Sequence, residues 1–108
     1  MDRLVVEPNF FIVGAPKSGT TNISYYLMQH PQVFMPENLE PYYFARLDVP
    51  QNYKREIISD EKKYLNLFKN AKNCKVAGES SPVYLYCPHS ALEIKNRFPN
   101  SKLIISLR

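Results

Sequence analysis

A short apolar run, Phe10-Phe-Ile-Val13, leads straight into the loop Gly14-Ala-Pro-Lys-Ser-Gly-Thr-Thr21. The run is continuous and rich in aromatic and β-branched residues, the pattern of a strand buried on both faces. An amphipathic segment follows from about Thr20 to Gln29, with Ile23, Tyr26 and Leu27 assigned to its inner face. Proline disfavours helix in the residue before it, so His30-Pro31 closes that segment. Strand, glycine loop and helix in this order expose backbone N–H groups at a positive helix end, which makes an anion site. Lys17 adds a full charge, and Ser18, Thr20 and Thr21 add hydroxyl donors. A glycine turn carrying surface hydroxyls is the bland alternative.

Further along, short apolar runs alternate with amphipathic segments, as expected of an α/β protein with a parallel sheet. Val33–Met35 is a short extended piece, and the proline-containing stretch from Pro36 to Pro50 reads as loop around the aromatic run Tyr42-Tyr43-Phe44. Those rings either line a pocket or belong to the core. Ser59 or Asp60 caps a helix to about Lys69, with Tyr64, Leu65 and Phe68 as its apolar stripe. Lys75–Gly78 is a second strand. Pro88 opens a helix reaching Phe98, whose face would comprise Ala91, Leu92, Ile94, Lys95 and Phe98. Lys102–Leu107 is the last strand, and Arg108 follows.

The chain has 108 residues and a formal charge of +4. That charge suits an anionic ligand, but it is too small and too dispersed for a nucleic-acid surface. Cys74 and Cys87 match no metal spacing and form no disulfide framework. No apolar run approaches the ~20 residues of a membrane span. A cytoplasmic setting with free thiols is the resulting expectation; oligomeric state is not legible.

The loop differs from a nucleotide triphosphatase loop, Gly-x4-Gly-Lys-Ser/Thr. Gly14, Gly19 and Thr21 keep that spacing, but Thr20 follows the second glycine and Lys17 lies inside the loop. No aspartate ends the last strand, where Arg108 stands. Protein cations rather than magnesium would hold the anion. A P-loop kinase or other nucleotide-binding enzyme is the alternative reading, and a non-catalytic nucleotide-binding fragment is the second.

Five landmarks in order resemble the sulfotransferases that use 3′-phosphoadenosine-5′-phosphosulfate (PAPS), in their bacterial and carbohydrate-type form. They are Pro16–Thr21, His30-Pro31, Glu40-Pro41-Tyr42-Tyr43-Phe44, Gly78-Glu79-Ser80-Ser81-Pro82-Val83-Tyr84, and the strand ending in Arg108. The resemblance implies a parallel sheet flanked by helices, of the kind found in P-loop-containing nucleoside triphosphate hydrolases. Residues 1–108 would be the N-terminal part of a single sulfotransferase domain. It implies sulfuryl transfer from PAPS to an acceptor hydroxyl, leaving PAP, with no metal. Lys17 would be catalytic. Lys17, Ser18, Gly19, Thr20, Thr21 and Asn22 would hold the 5′-phosphate, and Arg108 the 3′-phosphate. Glu40 matches the family's catalytic glutamate, against the alternative of an exposed loop acid. Leu39 and Ser80 stand where the family commonly carries lysine, which weakens the case for an anionic polysaccharide acceptor. Glu79 is expected to satisfy backbone donors or a cation, and His30 to end its helix. Tyr84 and Tyr86 are each core or pocket wall.

Overall fold

The computed structural model describes residues 6–15, 19–36, 40–50, 57–71 and 73–106. Lys17, Ser18, Leu39 and Arg108 lie outside the described residues. Four strands, β1 (Phe10–Gly14), β2 (Val33–Phe34), β3 (Val76–Ser80) and β4 (Lys102–Ile105), form one sheet in the order β2-β3-β1-β4. Every pairing is parallel. Parallel neighbours need crossovers. Helix α1 (Thr20–Met28) lies between β1 and β2 in sequence, and α3 (Pro88–Arg97) between β3 and β4. A short helix, α2 (Glu61–Asn66), precedes β3. The expected parallel α/β sheet is thus the observed architecture.

All five residues of β1 are buried, because it is an inner strand covered on both faces. Side chains alternate along a strand. Phe10 and Ile12 pack with Met35 against Ile23, Leu27 and Met28 of α1. Phe11 and Val13 face the other way, into a larger cluster with Phe44, Tyr64, Ile94 and Phe98. Phe44 is its hub: edge-to-face contacts reach Phe11 at 5.8 Å, Tyr64 at 5.5 Å, Tyr84 at 5.9 Å and Phe98 at 6.0 Å. Tyr43 stacks on Tyr64 with centroids 4.6 Å apart.

Several local expectations shift. Residues 43–45 form a buried 3-10 turn rather than loop, so the aromatic run is core. Tyr26 is 75% exposed. Ile23 and Leu27 do face the sheet as expected, and they are joined there by the buried Thr20 and Ser24. On α3 the buried positions are Ser90 and Ile94, with Phe98 just past its end, while Ala91, Leu92 and Lys95 point outward. Helix α2 starts where Asp60 predicts, its carboxylate accepting from the Lys63 N–H at 3.0 Å. It ends at Asn66 and passes into a 3-10 turn at Lys69–Ala71. Tyr84 is buried and Tyr86 exposed. Among the described residues no helix is long and apolar enough to cross a membrane.

Phe44→Ala removes the ring that Phe11, Tyr43, Tyr64, Tyr84 and Phe98 surround, which should cost about 3–5 kcal/mol in a urea unfolding experiment. A loss under about 1 kcal/mol would place the core elsewhere.

Candidate functional site

The C-terminal ends of β1, β3 and β4 lie side by side, where ligands sit in open parallel sheets. Gly14 ends β1 against the 3-10 turn Pro82–Tyr86. A Cβ there would lie 2.8 Å from Leu85 Cβ and 2.9 Å from Leu85 Cδ2, so only glycine fits. The loop stays tied to β4: the Ala15 N–H donates to the Ser106 carbonyl at 2.8 Å, and the Ser106 N–H donates to the Gly14 carbonyl at 2.8 Å.

Gly19 re-aims the chain into α1 with φ of 82°, a left-handed conformation that glycine adopts without strain. The first-turn N–H groups of α1 have no acceptor within the helix. Gly19, as the cap, brings no side-chain oxygen to them, and no acidic residue lies in that turn. Among the described residues nothing caps or neutralises this positive helix end, the kind of end that attracts an anion. Thr21 and Asn22 are exposed beside it, whereas Thr20 is buried, its carbonyl accepting from the Ser24 hydroxyl at 3.0 Å. The structure thus brings Gly19, Thr20, Thr21 and Asn22 together at one helix end. His30 serves its turn, accepting from the Gln32 N–H at 3.0 Å through Nδ1.

Beside this loop, Glu79 of β3 pairs in register with Phe11 and points into the aromatic cluster. It is fully buried. Its Oε2 accepts from the Tyr64 hydroxyl at 2.5 Å and the Tyr84 hydroxyl at 2.8 Å; Oε1 accepts from the Ser81 hydroxyl at 2.6 Å. Among the described residues the partners of Glu79 are three hydroxyls, in place of the expected backbone donors or cation. The same hydroxyls reach outward. Ser81 Oγ accepts from the Tyr42 N–H at 3.1 Å, and the Tyr84 oxygen accepts from the Phe44 N–H at 3.2 Å. The Ser90 hydroxyl donates to the Phe44 carbonyl at 2.7 Å. Arg46 forms a two-point pair with Glu93 of α3 at 2.8 and 3.1 Å. Residues 42–46 are therefore pinned from both sides. Glu40 is half-buried, and its Oε1 accepts from the Tyr42 phenol.

Tyr42, Tyr64, Ser81 and Tyr84 are the residues sequence reasoning left without roles. The available signal was an acid inside a strand, Gly78-Glu79-Ser80, followed closely by Ser81 and Tyr84. Tyr64 carries no such signal. Among the described residues no group of three or more His, Cys, Asp or Glu side chains could hold a metal.

Burial raises the Glu79 carboxyl to about 7, against the opposing pull of the Ser81, Tyr64 and Tyr84 hydroxyls. Burial, then the Glu79 charge, lifts both phenols well above their ordinary range, so they remain donors at neutral pH. A carboxyl with a raised folded-state pKa stabilises the fold fully below its unfolded value near 4.5. That contribution disappears as pH rises through about 7. Between pH ~5 and ~8 it amounts to about 2–3 kcal/mol. Glu79→Gln should therefore flatten the fall in unfolding free energy over that window, measured by denaturant titration. An unchanged slope would mean that Glu79 does not titrate there.

The Sulfotransferase family model matches residues 8–82, a span that holds β1, the loop, α1, Glu40 and Glu79. The chain is 34% identical over 106 residues to the membrane-associated sulfotransferase kil1 of Dictyostelium discoideum. That match covers 98% of this chain and 21% of the relative. A crystal structure of a sulfotransferase from Alicyclobacillus acidocaldarius superposes with a TM-score of 0.87 at 35% identity. It covers 94% of this chain and 44% of that one. The chain thus spans about a fifth of the first relative's length and under half of the second's. This chain belongs to the sulfotransferase family.

Proposed function

We propose that this protein transfers a sulfuryl group from PAPS to an acceptor hydroxyl of a sugar, lipid or small alcohol. The observation that carries the proposal is the uncapped, acid-free first turn of α1, which follows the end of β1, while the Glu40–Tyr42 segment is tied to Ser81 at the end of the neighbouring β3. That turn fits a phosphate: glycine at its cap, free first-turn N–H groups and hydroxyls at Thr20 and Thr21. PAPS supplies an activated sulfuryl group joined to its 5′-phosphate.

In this reading the N–H groups and hydroxyls from Ser18 to Asn22 bind the 5′-phosphate. Lys17 aims its ammonium at the oxygen that departs from sulfur and stabilises the charge gathering there. Arg108 holds the 3′-phosphate with its planar fork of donors. Glu40 accepts the proton of the attacking hydroxyl. Acceptor oxygen, sulfur and leaving oxygen must then lie in line, which the fixed strand ends favour. Protein cations carry the anion-holding role, so the reading calls for no metal. The free thiols of Cys74 and Cys87 agree with a reducing, cytoplasmic setting.

PAP should bind without magnesium, and ATP with magnesium should not displace it, as isothermal calorimetry can establish. Lys17→Ala should lower the rate of PAP release from PAPS by about 10²–10³-fold. Glu40→Gln should lower it by about 10²-fold while PAP affinity stays within about twofold. Tight magnesium-dependent ATP binding, or an active Lys17→Ala variant, would sink the assignment.

A further inference from the structure

Tyr42 has φ of 59° and ψ of 21°. Among the described residues it is the only non-glycine with positive φ. A tyrosine held there is strained, and such strain persists only where surrounding contacts impose it. The contacts are present. The Tyr42 N–H donates to Ser81 Oγ at 3.1 Å. Ser81 is itself fixed by Glu79 at 2.6 Å, and its N–H donates to the Ile12 carbonyl of β1 at 3.0 Å. The Tyr42 side chain is almost wholly buried, and its phenol donates to Glu40 Oε1 across the buried Pro41. Among the described residues Glu40 Oε2 accepts no hydrogen bond, which leaves that oxygen for a substrate proton.

We propose that Tyr42 is a positioning residue: its phenol aims the Glu40 carboxylate, and the Ser81–Glu79 pair holds Tyr42 in the left-handed turn that this requires. The inference rests on Glu40 being the base. It adds a chain of command from the sheet to that base. Strand β1 fixes Ser81, Ser81 fixes the Tyr42 backbone, and the Tyr42 phenol fixes one carboxylate oxygen so that the other faces the acceptor. A carboxylate on a two-carbon arm in a loop would otherwise sample several rotamers.

Tyr42→Phe deletes the phenol oxygen alone. Turnover is read as PAP release from PAPS, with n-octyl β-glucoside as acceptor and with water in its place. Crystals of both proteins with PAP show the carboxylate directly. The expected result is a kcat lower by about 10- to 100-fold, as for a displaced catalytic group. The KM for PAPS and the PAP affinity should stay within about twofold. The Glu40 carboxylate should leave its place while residues 41–45 superpose. Wild-type kcat, or a Glu40 carboxylate still in place in the variant, would overturn the role of Tyr42. If Glu40→Gln turns over at the wild-type rate, the base assignment falls instead, and the inference with it.

Discussion

The site hangs on one buried carboxyl. Glu79 sits in a low-dielectric cluster with no cation against it among the described residues, and hydroxyls from three residues meet its two oxygens. An uncompensated buried carboxylate is costly, whereas hydrogen bonds to a charged group contribute about 1.5–3 kcal/mol each. Burial outweighs these bonds, which is why the group titrates near neutrality rather than in the ordinary carboxylate range. Each hydroxyl also has a second duty. Ser81 and Tyr84 receive the N–H groups of Tyr42 and Phe44, and Tyr64 stacks on Tyr43. A segment with little regular structure is thereby tied to the sheet and to α3 at several points.

Sheet topology makes that hub useful. Because all four strands run parallel, positions far apart in sequence end at one edge: Gly14 at the end of β1, Ser81 after β3 and Ser106 after β4. The hydrogen bonds linking Ser81 to Ile12, and Ser106 to Gly14 and Ala15, continue the ladder past the last paired residues. The phosphate-type loop and the Glu40 segment are consequently referred to the same rigid frame. Positioning within a fraction of an ångström matters in group transfer, and loops alone do not supply it.

What the sequence made legible was local. Gly14 and Gly19 mark the turn, His30-Pro31 the end of α1, Asp60 the start of α2 and Pro88 the start of α3, because each acts through its own backbone geometry. Periodicity misassigned Tyr26 and Leu92, which face outward. Which side of a helix is buried depends on where the sheet lies, and the rows 20–24–27 and 90–94–98 carry serines that hydropathy does not score as interior. The buried turn at 43–45 was invisible for a related reason. It is stabilised by distant partners, Tyr84, Ser90 and Glu93, not by its own sequence. Likewise Glu79 could be seen as an acid in a strand, but its partner Tyr64 lies 15 residues away on α2.

Two left-handed residues flank the site, and their difference is instructive. Gly19 needs only conformation: it turns the chain so that the helix end opens, and a side chain there would gain nothing and strain the backbone. At residue 42 glycine would also relieve strain, yet the position carries tyrosine. Burial in the core accounts for a large ring at this position, as it does at Tyr43 and Phe44, but not for a phenol in place of a phenyl ring. The contact with Glu40 does, since the phenol is the group that reaches it. Strain at Tyr42 is therefore tolerated because Ser81 and Glu79 hold the turn in place. In the proposed reading the buried hub and the open helix end are two halves of one device, one fixing where a proton can go and the other where an anion can rest.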